Sequence, residues 1–112
     1  MNEAKFNHRQ GVRVYCWEME HPAYRLLDPT ARALLIELRA LESLTGSALV
    51  SLSVRDARKR LNVTQRPVER AFKALEAHGW IKESNGGTGR RRVVLLKSPL
   101  PASPGAVGEA DE

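Results

Sequence analysis

The chain has 112 residues, 42% of them hydrophobic, with 18 Lys or Arg against 13 Asp or Glu and a formal net charge of +5. That length fits one domain, and that hydrophobic share supplies a core and excludes a wholly disordered chain. No apolar run approaches the roughly 18–20 residues that span a bilayer, and Met1 to Arg9 lacks the apolar stretch of a signal peptide, so a cytoplasmic protein is expected. Cys16 is the only cysteine, which excludes intramolecular disulfides and cysteine-rich zinc sites.

The charge is unevenly placed. Residues 1–54 balance six bases with six acids, residues 55–97 carry twelve bases and four acids, and residues 98–112 carry three acids and no base. A block at +8 beside a neutral block has the form of an electrostatic footprint for a polyanion. A solvated, merely solubilising face would have the same composition.

In chain order, residues 1–11 are polar and without period and read as a flexible arm. Val12 and Val14 alternate weakly in the manner of a short strand. A helical turn is expected from Pro22 to Leu27, with proline at its start. Asp28-Pro29 then gives an N-cap followed by proline at the first helical position, and Ala31, Leu34, Leu38 and Leu41 recur at helical spacing. A helix from Pro29 to about Leu44 follows, stopped by Gly46. Leu35 and Ile36 lie off its stripe, leaving apolar surface for the segment with Trp17 and Tyr24, or for a second subunit, to cover. Ala48 to Leu52 reads as one small strand.

Ser53 then caps a two-turn helix with Val54, Ala57 and Leu61 inward and Asp56 in its first turn. Asn62 ends it, since Asn tolerates the left-handed conformation. Thr64 is the next N-cap, opening a helix to about His78 whose inner face is Val68, Ala71, Phe72 and Leu75. Pro67 disfavours helical geometry at Arg66, so a late start is expected. Gly79 stops this helix. Trp80 and Ile81 begin a strand, Ser84 to Gly89 turn, and Arg90 to Leu96 return. Residues 98–112 read as a disordered acidic tail.

Two helices joined by a tight turn, the second with a basic outer face and a hairpin after it, form the winged helix-turn-helix plan. The segment SVRDARKRLNVTQRPVERAFKALEAHGWIK, Ser53 to Lys82, resembles the winged helix-turn-helix DNA-binding proteins. His21 to Leu38 is similar to small bacterial and phage helix-turn-helix proteins, regulatory or replication-linked. The resemblance implies a mainly α fold with a small antiparallel β wing spanning residues 12–97. It departs from the family at Asn62, where glycine is usual, and at Arg58, which takes a slot usually filled by alanine at the helix crossing and must therefore snorkel outward.

Helical rotation puts Arg66, Arg70 and Lys73 on one stripe opposite Phe72 and Leu75. That stripe is expected to face the major groove of double-stranded DNA, with Gln65, Arg66, Glu69 and Arg70 as base-reading candidates. Glu69 is also placed to pair with Lys73. Thr64, Lys73, Arg55, Arg58, Lys59 and Ser53 are candidates for the DNA backbone. In the wing, Arg90, Arg91, Arg92 and Lys82 are candidates for phosphate or the minor groove, with a charged edge strand as the plainer account.

His8, His21 and His78 are far apart without partners at metal-ligand spacing, no nucleophile motif is present, and Cys16 lies in an apolar stretch that favours a buried, inert thiol. No enzyme, metal or cofactor is expected. The sequence points to a sequence-specific DNA-binding transcriptional regulator, nucleoid-associated and homodimeric. A replication or recombination accessory protein of a mobile element and a winged-helix protein-interaction module are the alternatives.

Overall fold

A computed structural model describes residues 9–84 and 91–99, the side chain of Arg91 excepted. Most of the expected arm, the tip of the hairpin with Arg90, and the tail beyond residue 99 lie outside the described residues. The elements run α1 Cys16–Glu20, α2 Pro22–Arg25, α3 Pro29–Thr45, β1 Leu49–Ser53, α4 Val54–Leu61, α5 Gln65–Ala77, β2 Ile81–Glu83 and β3 Arg91–Leu96. The fold is mainly helical with a small three-stranded antiparallel sheet in the order β1-β3-β2, an arrangement compatible with a winged helix.

The capping chemistry falls where the side chains put it. Asp28 accepts from the Ala31 amide at 2.8 Å, with Pro29 at the helix start, and Gly46 closes α3 at φ 75°. Ser53 accepts from the Asp56 amide at 2.9 Å, and Asn62 ends α4 in the left-handed region at φ 59°. Pro67 does not delay α5, which is helical from Gln65. In the first turn the prolyl nitrogen has no helical acceptor to miss, and that outweighs the restriction on Arg66.

Packing brings α3, α4 and α5 together on one face of the sheet. Ala31, Leu34, Leu35 and Leu38 of α3 meet Val68, Ala71, Phe72 and Leu75 of α5, with Val50, Leu52, Ile81 and Val94 from the strands. Leu35 is therefore covered within the chain, with Tyr24 packed against the same core, while Ile36 stays exposed. Trp80 is fully buried, and its indole N–H donates to the Ala23 carbonyl at 3.1 Å, tying the start of β2 to α2. A buried indole requires such a partner.

The N-terminal segment departs from expectation. Val12 and Val14 form no strand, and a short helix, α1, follows them. Its cause is Glu18, 2% exposed, whose carboxylate accepts from Arg39 of α3 at 2.7 and 2.9 Å and from the Tyr15 amide at 2.9 Å. Ser98 also donates to it, so Ser98 is anchored although the sequence assigns it to the loose tail. With Glu18 turned inward, Cys16 points outward and is exposed, which corrects the expectation of a buried thiol. Burial pushes the Glu18 carboxyl up, but hydrogen bonds from Arg39, Ser98 and the Tyr15 amide, with the Arg39 charge, outweigh it and hold it at about 2. No helix among the described residues is long and apolar enough to cross a membrane.

Candidate nucleic-acid interface

The helix-turn-helix unit is α4, the turn Asn62–Thr64 and α5. Its tight geometry has a local origin: the left-handed Asn62 lets the amides of Asn62 and Val63 both return to the Arg58 carbonyl, at 2.7 and 3.2 Å. Ala57 is fully buried on the inner face of α4. Arg58 is exposed, as expected of a long side chain that must turn outward at the crossing. Buried at Ala57 and basic and exposed at Arg58, α4 satisfies both packing and charge.

On α5, Gln65, Arg66, Arg70 and Lys73 are exposed and Val68, Ala71, Phe72 and Leu75 are buried, so the basic stripe points to solvent as the helical period requires. Arg66, Arg70 and Lys73 have no ion pair among the described residues. Glu69 is half-buried and accepts from Gln65 Nε2 at 2.8 Å, not from Lys73. That bond occupies the side chain of one base-reading candidate with that of another and leaves the Lys73 ammonium to solvent. Thr64 takes the N-cap position of α5 with no capping bond to its hydroxyl, unlike Ser53 at the start of α4. The α5 N-terminus therefore presents unsatisfied amides beside an uncommitted hydroxyl, a setting that favours anions.

Beside the turn, Arg55, Arg58 and Lys59 line a shallow cleft of about 300 Å³ with Asn62 and Val63. All three cations are exposed and none has an ion pair among the described residues. Arg60, by contrast, is held by Glu37 of α3 at 3.3 Å. The α4 basic residues thus divide into three available cations by the turn and one committed to packing.

In the wing, Ser53 pairs with Arg91 and Leu52 with Arg92, which sets the start of α4 beside the tip end of β3. Lys82 is exposed on β2 opposite Leu95. Arg92 is half-buried, with its guanidinium carbon 5.1 Å from the centroid of the Phe72 ring, and it lines a cleft of about 150 Å³ together with Lys73. The wing and the α5 stripe are therefore on the same side of the molecule. Residues 93–96 are apolar at both parities of the strand, so the sequence held no signal that Arg92 turns toward Phe72. The Glu18–Arg39 pair was likewise beyond local pattern.

A further cavity, of about 700 Å³, lies elsewhere, between residues 9–15, α3 and the chain after β3. Arg39 and Glu18 neutralise each other there, and the α5 stripe takes no part in it.

No family model matches the chain, and no curated protein matches its sequence. Two solved structures share its fold. One, described as the "N-Terminal domain of DNA binding protein", superposes with a TM-score of 0.68 at 14% identity, over 100% of this chain and 93% of that one. Another, described as "Structure of MDR initiator", gives 0.65 at 15% identity, over 100% and 97%. At such identities the likeness is one of fold.

Proposed function

We propose that this chain binds double-stranded DNA sequence-specifically, laying α5 in the major groove with the β2–β3 hairpin against the backbone or minor groove, and acts as a transcriptional regulator. The observation that carries the reading is the set of exposed cations without ion pairs among the described residues: Arg66, Arg70 and Lys73 on α5, flanked by Arg55, Arg58 and Lys59 on α4. Cations that stabilise the fold itself are spent on partners, as Arg39 and Arg60 are here. A convex helix of this width fits the major groove, where Arg donates twice to guanine. The shared fold with a structure described as a domain of a DNA binding protein supports it.

In this mechanism the α4 cations and the Thr64 hydroxyl seat on phosphates and fix the register, while Arg66 and Arg70 meet base edges. Binding releases counterions from the duplex. One module of this size buries only about 600–1,000 Å² on DNA, so a homodimer on paired half-sites supplies the remaining affinity. The reading assigns no catalytic step and no cofactor.

Fluorescence anisotropy against random duplex over a salt series tests it. The expected result is tight binding at low salt with log affinity falling against log salt at a slope of roughly −5, about one unit per phosphate neutralised. Absence of binding at low salt overturns the proposal and favours a basic protein-interaction module. A second reading, a part in replication or recombination, draws on the shared fold with a structure described as an initiator. A footprint at an origin or attachment site, not a promoter, would establish it.

A further inference from the structure

We propose that Arg92 is a positioning residue, which fixes the β2–β3 hairpin against α5 through Phe72 and so sets which bases α5 meets, without itself holding a phosphate. The inference rests on the DNA-binding reading for its functional consequence, and on the free protein for its geometry.

Side chains alternate along β3, so Arg92, Val94 and Leu96 share one face. Val94 is 1% exposed and Leu95 is exposed, which assigns that face to the helices. Arg92 thus extends inward, and its guanidinium lies over the Phe72 ring. Phe72 is 3% exposed on the inner face of α5, one position from Lys73 and two from Arg70. A small tilt of α5 about this contact re-aims both. On the other side, β3 is the central strand, bonded to β1 and to β2, so whatever holds Arg92 holds the whole hairpin.

The company of Arg92 decides between clamp and phosphate contact. The cleft it lines is also lined by Glu76 of α5 and Glu83 of β2. With Lys73 the cleft holds two cations and two carboxylates, so it offers a phosphate no net positive charge. No hydrogen bond or ion pair to the Arg92 guanidinium exists among the described residues, so the aromatic face is its defined contact. Arg stacks on a ring through its flat guanidinium, and Lys offers only a point charge in its place.

The test compares Arg92→Gln, Arg92→Lys, Phe72→Leu and the Arg92→Gln/Phe72→Leu pair. In the free protein, amide hydrogen exchange of β2 and β3 is read against that of α3, which reports global unfolding. Arg92→Gln and Phe72→Leu should each speed hairpin exchange about tenfold relative to α3, with little added by combining them and partial recovery in Arg92→Lys. On DNA, each should lower the specific-to-random affinity ratio about fivefold or more while the salt slope stays at the wild-type value. If instead Arg92→Gln weakens both duplexes equally and lowers the slope by about one, and Phe72→Leu does neither, Arg92 is a phosphate contact and the proposal falls. Unchanged hairpin exchange in both single variants overturns the clamp by itself. Failure of the DNA-binding reading shows separately, as a wild-type chain that binds no duplex.

Discussion

Glu18 and Arg39, twenty-one positions apart, meet in a two-pronged ion pair at 2.7 and 2.9 Å that joins the N-terminal segment to α3. Arg39 also donates to the Arg13 carbonyl at 2.8 Å and lies over the Trp80 ring at 5.6 Å, so one side chain links the first segment, the central helix and the entry to the sheet. Removing one member of a buried pair leaves the other charge uncompensated, which costs more than the pair itself contributes.

Glu18→Gln should therefore lower unfolding stability at pH 7 by about 3 kcal/mol. The wild-type carboxyl, held at about 2 against an ordinary 4.5, contributes stability that is full above pH 4.5 and is lost as pH falls toward 2. Denaturant unfolding across that window should show a steep acid decline in the wild type and a flatter one in the variant. Equal stabilities at pH 7 would contradict the account.

The two helix starts of the helix-turn-helix unit should respond differently to the same change. Ser53→Ala removes an observed cap and should cost about 1 kcal/mol, while Thr64→Ala removes none and should cost less than about 0.5 kcal/mol. Thermal melts measure the first effect. Thr64→Ala should show its loss in DNA affinity instead, by about tenfold or more, as expected for one hydrogen bond to a charged group at about 1.5–3 kcal/mol.

Arg66→Ala should reduce discrimination between the selected site and random duplex by about 1–3 kcal/mol, since a bidentate base contact is worth that much. An unchanged ratio in competition binding would remove Arg66 from base reading.

Lys59→Ala should weaken specific and random duplex alike and reduce the salt slope by about one. Arg60→Ala, whose guanidinium is held by Glu37, should leave the slope unchanged. Reversed results would place the interface on the other side of α4.

How much of this was legible follows the range of the forces involved. The helices α3, α4 and α5 carry their caps, stops and apolar stripes within a few residues, so Asp28, Ser53, Asn62, Gly46 and the Val68–Leu75 face were readable. The basic stripe followed from the same period. The segment before α2 was misread because Val12 and Val14 mimic a strand, whereas α1 is organised by a carboxylate whose partner stands on another helix. Arg92 required the register of three strands, and Glu69 required a choice between two neighbours at equal spacing, Gln65 and Lys73, that sequence does not rank.

The carboxylate of Glu18 receives the Tyr15 amide on one side and the Ser98 hydroxyl on the other, beyond the end of β3 remote from Ser53. Entry and exit of the described chain are thereby brought to a common corner, and Pro99 lies close to Gly79 at the end of α5. A circularly permuted version, with a short bridge across that corner, would keep every helix and strand intact. A fluorophore or tethered module attached there would sit by the C-terminal end of α5, the opposite end from Gln65 and Arg66.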